Sequence, residues 1–128
     1  MKNGFVLLAV ATALLLTGCG ASEKPAGSYR QVSQSDAAAM MERETDYILL
    51  DVRTQEEYAQ GHIPGAIVVP DTEIEARAEE VLPDKDQLIL VYCRSGRRSK
   101  NAAQILVELG YTNIKEFGGI IDWPYEVE

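Results

Sequence analysis

The sequence predicts an α/β domain built on a largely parallel sheet, and three observations carry that reading. Short apolar runs alternate with stretches of helical period along the chain. The run Leu88–Tyr92 is apolar at every position, as a central strand covered on both faces requires. Capping residues and glycines fall at the junctions between these runs. At 128 residues the chain is the length of one domain, and no internal repeat is visible.

Taken in order, Tyr29–Val32 reads as a short edge strand. Ser33 or Ser35 caps a helix that reaches Glu44, with Ala37 to Met41 as good helix formers. Tyr47–Leu50 is a strand that ends at Asp51-Val52-Arg53. Thr54 opens the next helix through a capping box with Glu57, and Gly61 ends it. After Pro64-Gly65 comes the strand Ala66–Val69. Ile74–Leu82 is a short acidic helix closed by Pro83, and Leu88–Tyr92 is the central strand. Ser99–Leu109 is amphipathic, with Ala102, Ile105, Leu106 and Leu109 on one face, and Gly110 stops it. Ile114–Phe117 is the last strand, followed by Gly118-Gly119 and a turn carrying Trp123 and Pro124.

Twenty acidic side chains against twelve basic ones give a formal charge of −8. That balance argues against nucleic acid as a partner and against attraction to an anionic lipid surface. It also makes one cluster stand out, because Arg94, Arg97, Arg98 and Lys100 crowd around Cys93. His62 is the only histidine, and no Cys-x-x-Cys pair is present. No metal site and no cofactor are expected.

The first 18 residues read as a removable leader. Lys2 gives it a positive start, and the apolar stretch Phe5–Leu16 is too short for a comfortable membrane span. Leu16-Thr17-Gly18-Cys19 resembles the bacterial lipobox, which implies cleavage before Cys19 and lipidation of that residue. On this reading residues 1–18 are a signal peptide, 19–27 a lipidated terminus and polar tether, and 28–128 the folded domain. The expected location is the bacterial cell envelope, facing outside the cytoplasm and anchored to the membrane by acyl chains. Lipidation consumes the Cys19 sulfur and leaves Cys93 with no disulfide partner.

The segment that points to chemistry is Cys93-Arg94-Ser95-Gly96-Arg97-Arg98-Ser99. It joins a buried strand to a helix N-terminus, the junction at which open α/β sheets bind ligands. Free backbone N–H groups and the helix dipole favour an anion there. Gly96 permits a turn that other residues resist. A cysteine in this setting is expected to be solvent-accessible and to ionise more readily than a free thiol. The loop backbone from Arg94 to Ser99 is then expected to cradle a thiolate or persulfide.

These motifs, together with Asp51-Val52-Arg53, Glu57-Tyr58, Gly61-His62-Ile63-Pro64-Gly65-Ala66 and Gly118-Gly119 with Trp123, resemble the rhodanese-homology family of sulfurtransferases. The resemblance runs from about residue 30 to the end. It implies a five-stranded, mostly parallel sheet flanked by helices on both faces, with the catalytic loop after the fourth strand. It implies a persulfide on Cys93, and it makes Asp51 and Arg53 supports of the active-site floor. His62 matches by pattern, and packing at a turn is favoured over a role as base.

Cysteine phosphatases related to this fold place five residues between Cys and Arg, whereas Arg98 follows Cys93 after four. The shorter ring suits a sulfur atom better than a phosphoryl group. The expected activity is transfer of a sulfane sulfur from thiosulfate or a similar small anion to a thiol or cyanide acceptor, or to an acceptor protein. A non-catalytic persulfide carrier and a related-fold phosphatase or arsenate reductase are the alternatives.

Overall fold

The computed structural model describes residues 27–128; the leader, Cys19 and the tether to residue 26 lie outside the described residues. Along the chain run β1 (Arg30–Gln31), α1 (Gln34–Arg43), β2 (Tyr47–Asp51), α2 (Gln55–Gln60) and β3 (Ile67–Val68). They are followed by α3 (Ile74–Val81), β4 (Leu88–Cys93), α4 (Arg97–Glu108) and β5 (Ile114–Gly119). Short 3-10 turns at Asp71–Glu73 and Ile120–Asp122 complete the order.

The five strands form one sheet in the order β1-β5-β4-β2-β3, and every pairing is parallel. Strand C-termini therefore share one edge of the sheet. Asp51 lies opposite Tyr92, and Cys93 lies opposite Gly119 after a register shift. The fold thus brings the ends of β2, β4 and β5 together at one place.

Alternation along β4 sorts the core into two layers. Ile89, Val91 and Cys93 pack with Ile74, Ala78, Ala102, Ala103 and Leu106, which belong to α3 and α4. Leu90 and Tyr92 point the other way, to Ala37, Met40, Tyr58 and Phe117. Helices α1 and α2 cover that second face. Both faces of β4 are buried, which is why its sequence is apolar without a break.

Local chemistry fixes the helix starts. Ser33 caps α1 by accepting the Asp36 N–H, and Thr54 with Glu57 closes a reciprocal capping box on α2. Three boundaries near the site differ from the sequence reading. Helix α4 begins at Arg97 because Gly96, with φ of 104°, makes the turn in the left-handed region. Arg97, Arg98 and Ser99 are thus the first helical turn and not loop. Cys93 belongs to β4 itself, and Gly118-Gly119 belong to β5.

Candidate active site

Only Arg94, Ser95 and Gly96 separate the strand end at Cys93 from helix α4. The thiol does not lie open at the mouth of this loop. Cys93 is 0 % exposed, its sulfur folded beneath the three connecting residues on the α4 side of the sheet. Gly96 N–H donates to Sγ at 2.9 Å, and it is the one backbone donor to the sulfur among the described residues. Of the amides from Arg94 to Ser99 expected to form a cradle, that of Gly96 reaches Sγ itself, joined there by one hydroxyl. Lys100 N–H makes the first intrahelical bond, to the Gly96 carbonyl, so helix geometry leaves the amides of Arg97, Arg98 and Ser99 without an intrahelical acceptor. The hydroxyl is that of Ser99, whose Oγ sits 3.3 Å from Sγ.

The loop is pressed against β5. A Cβ on Gly119 would collide with the Arg94 carbonyl and the Ser95 amide, so this position admits only glycine while the loop is closed. The same Arg94 carbonyl accepts the Ile121 N–H at 3.2 Å.

One site residue escaped the sequence reading. Glu116 of β5 is 2 % exposed and directs Oε1 at Ser99 Oγ, 2.7 Å away. Gly118 N–H donates to the same oxygen at 2.8 Å. A signal was available: strand alternation puts Glu116 on the same face as the core residue Ile114.

The basic cluster is divided among separate hollows. Arg94 lines one hollow with Arg53, Glu57, Gly61 and Ile121, whereas Ser95, Arg97, Arg98, Asp71 and Asn101 line another. Arg94 and Arg97 are exposed and have no carboxylate within ion-pair distance among the described residues. Arg98 turns away to α2, where it donates to both oxygens of Glu57 at 2.6 and 2.9 Å. Those hydrogen bonds hold the Glu57 carboxyl at about 2, well below the usual 4.5. Arg98 is in turn held above its ordinary value, first by Glu57.

Asp51 and Arg53 form a buried knot under the strand ends. Arg53 donates to Asp51 through Nε at 3.0 Å and a terminal nitrogen at 2.7 Å, and to the Gly61 carbonyl at 2.7 Å. Burial works against the Arg53 charge, but the bond to Asp51 and its field outweigh it and raise the guanidinium above its ordinary value. Tyr92 joins the knot by donating to Asp51 Oδ2 at 2.7 Å while accepting the Ile63 N–H at 3.1 Å. Burial, then the bond to Asp51, pushes the Tyr92 phenol well up, so it stays protonated. His62 stacks on Tyr58 at 3.8 Å, with its ring nitrogens near the Tyr58 carbonyl and Glu128. Neither contact leads to the Cys93 loop. Among the described residues, no group of three or more His, Cys, Asp or Glu side chains is placed to hold a metal.

The fold, the loop after β4 and the arginine-flanked cysteine meet a decisive match: residues 33–124 fit the family described as Rhodanese-like domain. The chain belongs to the rhodanese-like family. This rhodanese-like chain is 44% identical over 73 residues to the thiosulfate sulfurtransferase PspE of Escherichia coli (strain K12), covering 57% of this chain and 70% of that one. It is 32% identical over 96 residues to the thiosulfate sulfurtransferase GlpE of Coxiella burnetii, covering 74% and 87%. Among solved structures, a rhodanese with anions from E. coli superposes with a TM-score of 0.60 at 39% identity, over 64% of this chain and 96% of that one. The rhodanese-like domain of the Anabaena Alr3790 protein gives a TM-score of 0.71 at 27% identity, over 79% and 80%. Thiosulfate sulfurtransferases are thus among the homologues of this chain.

Proposed function

We infer that this domain moves a sulfane sulfur from thiosulfate or a similar anion to a thiophilic acceptor through a persulfide on Cys93. The observation that carries the reading is the Gly96 N–H bound to Cys93 Sγ at the end of the central strand, beneath a loop bordered by the exposed Arg94 and Arg97. An N–H aimed at sulfur stabilises negative charge on it, first as thiolate and then as persulfide.

In the first half-reaction Sγ attacks the outer sulfur of thiosulfate. The sulfur–sulfur bond of the donor breaks, and sulfite leaves with the electron pair. Arg94 and Arg97, exposed beside the loop, supply positive charge where the dianion arrives and departs. In the second half-reaction cyanide or a thiol takes the outer sulfur and returns the thiolate. The closed loop covers Sγ, so each half-reaction requires Arg94 and Ser95 to swing outward. Gly96 is the pivot, since its φ already lies where glycine moves freely. Asp51, Arg53 and Tyr92 hold the floor on which β2 and β4 end. A tetrahedral phosphoryl group fits less well, because Arg98 follows Cys93 after only four residues and is turned away to Glu57.

The lipobox resemblance gives this activity an envelope address, with Cys19 as lipid carrier. The activity reading is tested by steady-state kinetics with thiosulfate and cyanide. Parallel reciprocal plots, with turnover abolished in Cys93→Ser, are expected. Turnover by Cys93→Ser, or hydrolysis of a phosphate ester in place of sulfur transfer, overturns it. Transfer to a protein thiol without turnover of cyanide would instead mark a carrier.

A further inference from the structure

We propose that Glu116 is a positioning residue that acts through Ser99 to hold the proton of the Cys93 thiol, so that the buried pair shares one proton. The proposal rests on Cys93 being the sulfur-accepting nucleophile and adds the group that takes its proton.

The geometry is a continuous line of three side chains. Cys93 Sγ lies 3.3 Å from Ser99 Oγ, and Ser99 Oγ lies 2.7 Å from Glu116 Oε1. All three residues are buried, with Cys93 and Ser99 at 0 % exposure. Ser99 Oγ also has the Gly96 carbonyl at 3.1 Å and the Gly118 carbonyl at 3.4 Å, and the carboxylate is the shortest of these contacts. A hydroxyl has one proton to give, and a short bond to a carboxylate takes it in preference to a carbonyl.

Glu116 has no basic side chain within ion-pair distance among the described residues. A buried carboxylate without a cation is costly when ionised and tends to accept a proton. Beside it stands a thiol that must lose one. With Glu116 ionised, Ser99 donates to the carboxylate and accepts from the Cys93 S–H. When the Cys93 proton passes to Ser99 Oγ and the Ser99 proton to Oε1, the line reverses. Glu116 is then neutral and donates to Ser99, which donates to the Cys93 thiolate beside Gly96 N–H. One negative charge is present before and after, and only its position changes.

The surroundings leave this pair to itself. Arg98 of α4 lies close enough to Cys93 to interact with it, but it is already paired with Glu57 of α2 and influenced by Asp71. On the other side, Gln31 of β1, Gln34 of α1, Lys100 of α4 and Asp122 line the hollow outside Glu116. Arg94 and Arg97 are exposed beside the loop.

The test is the pH profile of Cys93 alkylation by iodoacetamide on the full chain, read at the Cys93 peptide. In the unaltered protein the rate should be flat between about pH 5.5 and 8, because the thiolate fraction is set by the shared proton and not by hydroxide. Glu116→Gln keeps the shape and the bond to Gly118 but cannot take the proton. Its rate should fall at least about tenfold at pH 6 and recover by roughly tenfold per pH unit. Ser99→Ala should do the same, and Ser99→Thr should restore the flat profile. If Glu116→Gln reacts as fast as the unaltered protein at pH 6, or faster, Glu116 opposes the thiolate and the proposal is overturned. Thermal unfolding identifies a variant that fails to fold, and the Ser99 pair then decides the question. Thiosulfate loading run alongside separates the two readings. A flat profile without sulfur uptake sinks the transferase reading alone, and sulfur uptake with an unchanged Glu116→Gln profile sinks the relay alone.

Discussion

Replacing Tyr92 by Phe removes one oxygen from the knot beneath the active site and leaves the ring in place. That oxygen donates to Asp51 Oδ2 at 2.7 Å and accepts the Ile63 N–H at 3.1 Å. A hydrogen bond to a charged group contributes about 1.5–3 kcal/mol, and a buried N–H left without a partner costs about 1–3 kcal/mol. Ile63 is 2 % exposed, so water does not replace the lost acceptor. Asp51 keeps its bonds from Arg53, and the two losses share one network, so they do not add in full. The ring still packs on Phe117 at 5.5 Å and lies under the Arg53 guanidinium at 5.8 Å. The net expectation is about 2–4 kcal/mol of lost stability, a fall of roughly 10–25 °C in Tm for a domain of this size. Urea unfolding followed by tryptophan fluorescence measures it, with Trp123 as the single reporter. A loss below about 0.5 kcal/mol would refute the reasoning, because surface changes outside any network reach that much.

The remaining predictions follow from neighbouring contacts. Gly119→Ala should lose about 1–3 kcal/mol of stability, since its Cβ must push the Arg94–Ser95 loop off β5; an unchanged Tm contradicts it. Arg94→Ala should raise KM for thiosulfate with little change in Tm, whereas Arg98→Ala should lower Tm, because only Arg98 is paired with Glu57. Glu57, held at about 2 mainly by Arg98 against an ordinary 4.5, gives a pH-dependent share of stability. Its folded value lies below its unfolded one, so that share is complete above about pH 4.5 and is lost as pH falls through about 2. In Glu57→Gln the acid limb of the stability curve should be flatter, and an unchanged limb counts against the ion pair. Cys19→Ser should abolish incorporation of labelled fatty acid in a bacterial host, and retained label removes the lipid-anchor reading.

The sequence made most of the architecture legible for plain reasons. A five-residue apolar run rich in β-formers and preceded by Pro83-Asp84 is too short for a buried helix and reads as a strand covered on both faces, and Leu88–Tyr92 became the central strand. The Thr54–Glu57 box marked a helix start to the residue, because reciprocal capping depends on local spacing alone. The site was less legible where distant elements meet. Reading Cys93 as an open thiol overlooked that β-alternation from Ile89 and Val91 turns its side chain into the α4 layer. Reading Arg97 and Arg98 as loop overlooked that Gly96 can itself start a helix. Arg98 looked like an anion ligand until its pairing with Glu57, 41 positions away, was visible. Glu116 was passed over because a charged residue in a short strand usually faces water, and only the packing of α4 on β5 shows that this one does not.

The central claim is that Cys93 carries the sulfur, and the intact mass of the protein after thiosulfate tests it most directly. The account predicts a gain of one sulfur atom, mapped to the Cys93 peptide, released by cyanide and absent in Cys93→Ser. A mass that does not change, or a sulfur found elsewhere on the chain, contradicts it.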